Sequence, residues 1–457
     1  MEYSKAISFL EEVKKTGSKP GLTAISQLLK ELDSPQEKVA FVHVAGTNAK
    51  GSVSAYIASI LACAGYVTGR FSSPAVFQYE EMIQIISKQP AGKRNEDTVS
   101  KTDASAEIDI TSIEREEFAS CIEVIKGACE RMTAKGKDCP TIFEVETAMA
   151  FLYFYRKKCD IAVIEVGMGG RLDATNIIDS PKCAVLTAIS MDHTEYLGHT
   201  LKEIAWHKAG IIKKGIPVVS YKQEEEAEKV IEETAKEMEA SLITADFSKV
   251  TIKNMDMGET LFDYGDWKNL KIKLLGKNQI YNAVTAIHAA GALNKNGISL
   301  KTEDIYEGLK NAVWEGRFQC ICKSPLIMID GAHNEGAARA LADNIRLYLK
   351  DKTLYYIMGI FKDKDYEAVL RLTAGYASEI YCITPPNIRA LPSKELADAA
   401  AKQGKKAVDA ITVRNALSMI KEKTKEDKNY AVLAFGSLSI LKEVKEEVYR
   451  LYLQPQT

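Results

Sequence analysis

Short apolar and β-branched runs, each stopping at a glycine or polar turn and followed by helical periodicity, constrain the fold of this chain more than any other feature. In the first part the runs are "VAFVHVA" (39–45), "YVTGRF" (66–71), "DIAVIEVG" (160–167), "CAVLTAI" (183–189) and "IPVVSY" (216–221). Runs this short that lack polar alternation read as strands buried on both faces, and the helices between them supply the crossovers that parallel strands need. Helices are predicted after Gly51, through "FEVETAMAFLYFYRKK", and through the charged "EEEAEKVIEETAKEMEA", whose mixed charges mark a solvated face. Around "AGALNKNGISLKTED" (290–304) one helix ends in Gly and Asn and a Ser/Thr-capped one begins, which we read as a domain joint. The alternation then restarts with "SPLIMIDGAHN", "TLYYIMGIF", "SEIYCIT" and "NYAVLAFGS". The expectation is an α/β chain of two doubly wound domains, residues 1–296 and a smaller Rossmann-like 297–457, within the two to four that its 457 residues allow.

Residues 88–112 lose the apolar periodicity and collect Pro, Gly, Ser, Thr and charge, so a mobile surface insertion is expected there. Sixty Lys and Arg against 62 Asp and Glu leave a formal net charge of -2, so no global field draws the chain to nucleic acid or an anionic membrane. The nine cysteines are scattered, with Cys320 and Cys322 the closest pair, and spell neither a disulfide framework nor a CxxC site. The first residues, "MEYSKAISFLEEVKK", carry charge where a signal peptide needs an apolar run, and no apolar stretch approaches about 18 residues. A cytoplasmic protein without membrane or nucleic-acid partners is expected.

Chemistry first surfaces in "HVAGTNAKGSVSAY" (43–56), where a hydrophobic strand runs through Gly46, Thr47, Asn48, Ala49, Lys50, Gly51 and Ser52 into a helix. The unpaired first amides of that helix and its dipole favour an anion, and Lys50 adds a point charge, so the loop can cradle a polyphosphate. The strict phosphate-loop spelling fails, because Ala49 stands where Gly precedes the Lys and Ser52 falls one step late. An ordinary strand-to-helix turn with an exposed Lys is the competing reading.

Later strand ends carry the groups a metal-nucleotide site needs. Glu165 in "IEVGMGGRLDATN" falls at the carboxyl end of a strand, where open α/β sheets bind ligands, beside the glycines 167, 169 and 170. "AISMDHTEYLG" places Asp192 and His193 at the next strand end, suited to a divalent ion that bridges phosphates. Each alone also reads as a turn residue.

Together, "HVAGTNAKGS", "SSP" (72–74), "EVGMGGRLDATN", "MDHTEYLG", "KAGIIK", "NAVTA", "DGAHN" and "GIFKDKD" follow the order of the folylpolyglutamate synthase and dihydrofolate synthase family of Mur-type ligases, which the chain resembles over nearly its whole length. The resemblance implies an N-terminal P-loop-type ATPase domain and ATP-dependent amide formation. A substrate carboxylate takes the γ-phosphoryl group, and the amine of L-glutamate then displaces phosphate. By matching motif, Lys50 and the loop amides would hold ATP, and Ser73, Glu165 and His193 would bind Mg2+. Lys208 would be carbamylated and act with Lys50 and His333 in catalysis. Arg317 and His333 would reach the phosphates from the second domain, while Asn282 and Asp330 would lie near the base. Thr141 and Phe143 of "PTIFEVE", with Arg171 and Asp173, would face the pterin of dihydropteroate or a reduced folate, although Phe143 also fits helix core spacing. Without the resemblance, Lys208 near a helix end reads as a solvated charge. A monomer is implied.

The chain departs from the family pattern at Ala49, at Ala75 after "SSP" where His is common, at Met82 for Arg, at His207 for Glu and at Glu315 for Pro. Two other readings stay in view: a Mur-type ligase acting on a cell-wall precursor, and a nucleotide switch that makes no amide bond.

Overall fold

The computed structural model of the chain describes residues 1–15, 17, 21–89, 108–427 and 429–454. The five strands predicted for the first part form as β1 (Ala40–Ala45), β2 (Thr68–Phe71), β5 (Ile161–Glu165), β6 (Cys183–Leu186) and β7 (Val218–Ser220), and three that were not predicted, β3 (Ile83–Lys88), β4 (Ile108–Ser112) and β8 (Leu242–Thr244), complete one sheet in the order β4-β3-β2-β5-β1-β6-β7-β8. The six strands from β2 to β8 in that order pair parallel. Strands β3 and β4 add an antiparallel edge. The apolar runs are continuous because β5 and β6 are buried along their whole length.

Helices cover both faces. On one, Lys50–Cys63 lies beneath Lys277–Lys295 and Thr302–Asn311; on the other, Tyr3–Lys14, Arg115–Ala134 and Ile142–Arg156 pack together. The helix Lys50–Cys63 is buried all round, which explains why its sequence shows no polar stripe.

Three strands follow that the periodicity did not disclose: β9 (Val250–Met255), β10 (Thr260–Tyr264) and β11 (Trp267–Ile272), a separate antiparallel sheet laid on the first core. The second domain holds β12 (Gln319–Lys323), β13 (Leu326–Ile329), β14 (Thr353–Met358), β15 (Glu379–Ile383), β16 (Ala407–Ile411) and β17 (Tyr430–Phe435), ordered β12-β13-β17-β14-β15-β16. All pair parallel except the β12 edge, and a core lies on each face. The two-domain α/β architecture read from the sequence is therefore present.

Two boundaries differ from expectation. Of the segment 88–112, residues 90–107 lie outside the described residues, but Ile108–Ser112 is a strand paired with β3, with Ile108 buried. The helix Thr302–Asn311, assigned to the second unit by the sequence, packs on Lys50–Cys63; Gly308 comes so close that a Cβ there would sit 2.4 Å from the Ile60 Cα. We therefore propose that the joint lies between Asn311 and Gln319, not at residue 296.

Candidate active site

The carboxyl ends of both sheets face a shared cleft of about 530 Å³. From the first domain come the loop after β1, Ser73 after β2, Glu165 at the end of β5 and the segment from Ala188 to His193 after β6. From the second come Arg317 and Phe318 before β12, the turn from Asp330 to His333 after β13, and the face of the helix Glu335–Tyr348.

The phosphate loop is held from beneath. Thr47 and Asn48 donate their amides to the Ala188 carbonyl, and Thr47 Oγ1 exchanges hydrogen bonds with Ser190. Gly46 has φ +156°, and a Cβ there would fall 1.8 Å from Thr187 Oγ1, so no side chain fits. Ala49 adopts the left-handed conformation, φ 70°, immediately before the helix. That geometry costs a non-glycine residue about 1–2 kcal/mol, offset in part by packing of its methyl on the core. Lys50 Nζ donates to the Gly46 and Thr47 carbonyls at 3.2 and 3.3 Å and lies 3.9 Å from Glu165 Oε1. The other carboxylate oxygen of Glu165 is buried without a partner, and burial pushes the carboxyl up to about 7 against the pull of Lys50, Arg317 and Arg70. An unpaired, buried carboxylate oxygen beside a phosphate cradle fits a divalent cation.

Lys208 is not a solvated charge. It is 4% exposed, and its ammonium nitrogen donates to the Gly46 carbonyl at 2.8 Å. Burial, with Lys50 nearby, lowers it to about 7. Its helix, Leu201–Ala209, approaches because Gly170, at φ +157°, leaves room for the His207 and Lys208 carbonyls.

The second domain is tied in through Asp192. Its carboxylate accepts from Lys364 Nζ at 2.7 Å and Asn334 Nδ2 at 3.0 Å, with His193 and His333 each 3.9 Å away. Burial pushes Asp192 up, but His193 and His333 in their protonated forms, with the Lys364 ammonium, outweigh it and hold the group well below the usual carboxylate range. Burial and the neighbouring lysines lower His193 and His333 to about 4, so both are neutral imidazoles at pH 7. Lys364 lay within "GIFKDKD", but no spacing rule tells which lysine of a charged turn crosses to another domain. Asp330 accepts from the Phe318 and Ala332 amides and so shapes its own turn beside Arg317. Asn282 donates to Gln279, which reaches Ser52, and its amide oxygen is buried and unpaired.

The four residues expected to face the pterin have the following surroundings. Thr141 caps the helix Ile142–Arg156 in a reciprocal box with Glu144. Asp173 accepts from the Met168 and Thr175 amides and from Thr175 Oγ1, while Thr175 also meets His43 Nε2. Arg171 turns outward and stacks on Trp206 at 4.0 Å, lining a separate groove with Lys202 and Glu233. Asp173 is also close enough to Lys50 and Lys208 to feel their charge, and Phe143 comes near the cleft, its ring filling the space beside Gly167, where a Cβ would meet it at 2.5 Å. Among the described residues no cluster of three His, Cys, Asp or Glu side chains forms a metal centre, and no helix is long and apolar enough to cross a membrane.

Beside the cleft lies a second cavity of about 380 Å³, between the loop from Ser72 to Gln84, β4 and Lys445. The buried Arg70 lies 4.8 Å over the Trp314 ring there, and Pro74, Val76 and Trp314 line both cavities. The sequence reading missed this cavity, because its parts come from four separated segments.

Comparison with known proteins agrees with this geometry. The Mur ligase middle domain matches residues 110–290, and the Mur ligase glutamate ligase domain matches residues 316–438. The chain is 31% identical to the dihydrofolate synthase/folylpolyglutamate synthase of Bacillus subtilis over 98% of its own length and 99% of the relative's. It is 32% identical to the folylpolyglutamate synthase of Lacticaseibacillus casei, covering 86% of this chain and 88% of that one. Its fold matches the crystal structure of the folylpolyglutamate synthase of Thermotoga maritima with a TM-score of 0.79 and 31% identity, over 99% and 97% of the two chains. A solved FPGS–AMPPCP–folate complex matches with a TM-score of 0.79 and 27% identity, over 98% and 100%. With a phosphate loop, a buried strand-end glutamate and a second domain closing over both, the chain belongs to the dihydrofolate synthase/folylpolyglutamate synthase family, a family of ATP-dependent amino-acid ligases.

Proposed function

We propose that the protein joins L-glutamate to dihydropteroate, to reduced folates, or to both, through an acyl phosphate, releasing ADP and phosphate. The single observation that carries the reading is the convergence of Lys50, Glu165, Lys208, Arg317 and His333 around one phosphate loop between two domains. A nucleotide switch has no use for the second domain's cations, and the relatives favour the folate branch over a cell-wall acceptor. The FPGS neighbour solved with AMPPCP and folate supports ATP and a folate as the ligands.

Carboxylate is a poor acyl donor because its oxygen leaves badly. The protein therefore has to neutralise phosphate charge and align the reactants. The loop amides, Lys50 and Arg317 supply donors and positive charge around the γ-phosphoryl group. Ser73, Glu165 and His193 would hold Mg2+, which when bound neutralises phosphate oxygens. Neutral His193 is competent as a ligand, and Lys208, poised near neutrality, offers an unprotonated amine to carbon dioxide. A carbamate on Lys208 would place negative charge beside the metal end. The acceptor enters from the side of Pro74, Val76 and Trp314, where the second cavity joins the cleft. Closure of the second domain excludes water from the acyl phosphate. We expect a cytoplasmic monomer.

The test is product mass. Purified protein is given ATP, Mg2+ and L-glutamate with dihydropteroate or with tetrahydrofolate. Gain of one glutamate on either acceptor supports the reading and shows which activities occur; no gain on both rejects it.

A further inference from the structure

Arg70, Gln84 and Ser112 stand opposite one another on β2, β3 and β4, so their side chains leave one face of the sheet in a row. Gln84 donates to Ser112 Oγ at 3.2 Å and accepts from the Arg70 guanidinium, which fixes the arginine in place. That guanidinium lies over the Trp314 ring. Trp314 in turn seats on the phosphate loop, where a Cβ on Gly51 would fall 2.3 Å from its ring. The row therefore leads to the residue after Lys50, along the wall where the second cavity opens into the cleft.

Two donors on this wall go unused. Arg70 Nε and Trp314 Nε1 are both buried without a hydrogen-bond partner, and Arg70 is only 4% exposed. Burial lowers Arg70 to about 10, so it keeps its charge at pH 7; Glu165 and Glu81 support that charge, but no carboxylate pairs with it among the described residues. The other charges of the cavity are already engaged. Lys445 pairs with Glu315 at 3.0 Å, and Glu81 accepts from the Val76, Phe77 and Gln78 amides. The loop from Ser72 to Gln84 brings no cation of its own, since the buried Met82 fills the core where the family pattern has Arg. A buried cation with an idle donor on a cavity wall calls for an anion.

We propose that Arg70 and Trp314 Nε1 hold the carboxylate that a folate acceptor does not spend in the reaction, and so make the protein prefer folates to pteroates. A folate ends in a glutamate with two carboxylates, of which one is activated at the phosphates and the other is left free. A pteroate ends in a single carboxylate, the one that reacts, and has nothing to offer Arg70. The guanidinium and the indole N–H meet the free carboxylate as donors, and holding it turns its neighbour toward the γ-phosphoryl group of ATP. The inference rests on the proposal that a folate is an acceptor. It assigns the choice between acceptors to an arginine outside the motifs that carry the family resemblance.

Titration calorimetry of the full chain with tetrahydrofolate and with tetrahydropteroate, in the presence of AMPPCP and Mg2+, tests it. The two pterins differ only in the terminal glutamate. Wild-type protein is expected to bind tetrahydrofolate about tenfold to a hundredfold more tightly than tetrahydropteroate. Arg70→Met should weaken tetrahydrofolate and collapse the preference to about twofold. Trp314→Phe keeps the ring on which Arg70 stacks and loses one donor; it should cut the preference by about threefold to tenfold, and covers the case in which the methionine variant does not fold. Wild-type protein that binds both pterins equally would overturn the inference, as would variants that weaken both in proportion, the mark of a purely structural role, or that leave tetrahydrofolate unchanged. Protein that selects tetrahydrofolate through Arg70 but adds no glutamate would sink the ligase reading alone, whereas glutamate addition without this selectivity would sink the inference alone.

Discussion

The phosphate end of the cleft and the wall expected to hold the pterin teach opposite lessons about polar residues near strand ends. At the phosphate end, the buried Glu165 and Lys208 and the half-buried Lys50 lie within a few ångströms of one loop, with an unpaired carboxylate oxygen and a lysine near neutrality. Nothing in the fold alone rewards gathering such groups, so their burial implies a ligand. On the other side, Thr141 and Asp173 are fully used in capping a helix and closing a turn, and Arg171 points away. Burial with satisfied hydrogen bonds marks structure, whereas burial without them marks a site.

The comparison can be broken where it is strongest. Lys50→Ala should lower ADP formation by about a thousandfold, through loss of transition-state charge stabilisation, with circular dichroism unchanged. Glu165→Gln should cost about a hundredfold or more and blunt the dependence on magnesium; an unaltered magnesium titration would remove Glu165 from the metal. Asp173→Ala should behave in the contrary way, losing about 2–3 kcal/mol of stability in denaturant titrations through its unpaired Met168 and Thr175 donors, with the KM for ATP little changed. A large change in acceptor KM without lost stability would return Asp173 to the substrate.

A pH-dependent effect concerns the loop that lines the two cavities. Tyr79, within the loop, donates to Glu146, whose carboxyl burial pushes up to about 7. Between the unfolded value of 4.5 and about 7 the folded state holds the extra proton, so stability falls as pH rises through that window. Glu146→Gln should flatten this slope, which amounts to about 3 kcal/mol at most, in thermal melts from pH 4.5 to 7.5. The smallest effect is at Ala49, where glycine relieves the left-handed backbone but loosens the unfolded chain. Ala49→Gly should stabilise by no more than about 1 kcal/mol.

What was legible in the sequence follows from the same physics. Strands buried on both faces, such as β1, β5 and β6, announce themselves as continuous apolar runs, and the residues at their ends are read off directly. The strand β9 was hidden because four of its six residues are exposed, leaving no pattern to detect. We place the domain joint later than the sequence does because any amphipathic helix advertises an apolar face without naming its partner; the contact of Gly308 with Ile60 and the packing of Ile305 and Leu309 on the same core are what join Thr302–Asn311 to the first domain. Lys208 and Lys364 share this cause, since each is placed by a distant element: Gly170 and Asp192.

The most direct test of the account is ADP release from the wild-type protein with ATP and Mg2+, with acceptor and L-glutamate supplied singly and together. The account predicts rapid release only when a pterin acceptor and glutamate are both present, because the acyl phosphate forms on one and is consumed by the other. Release that is indifferent to both, or nucleotide binding with no turnover under any combination, would contradict it.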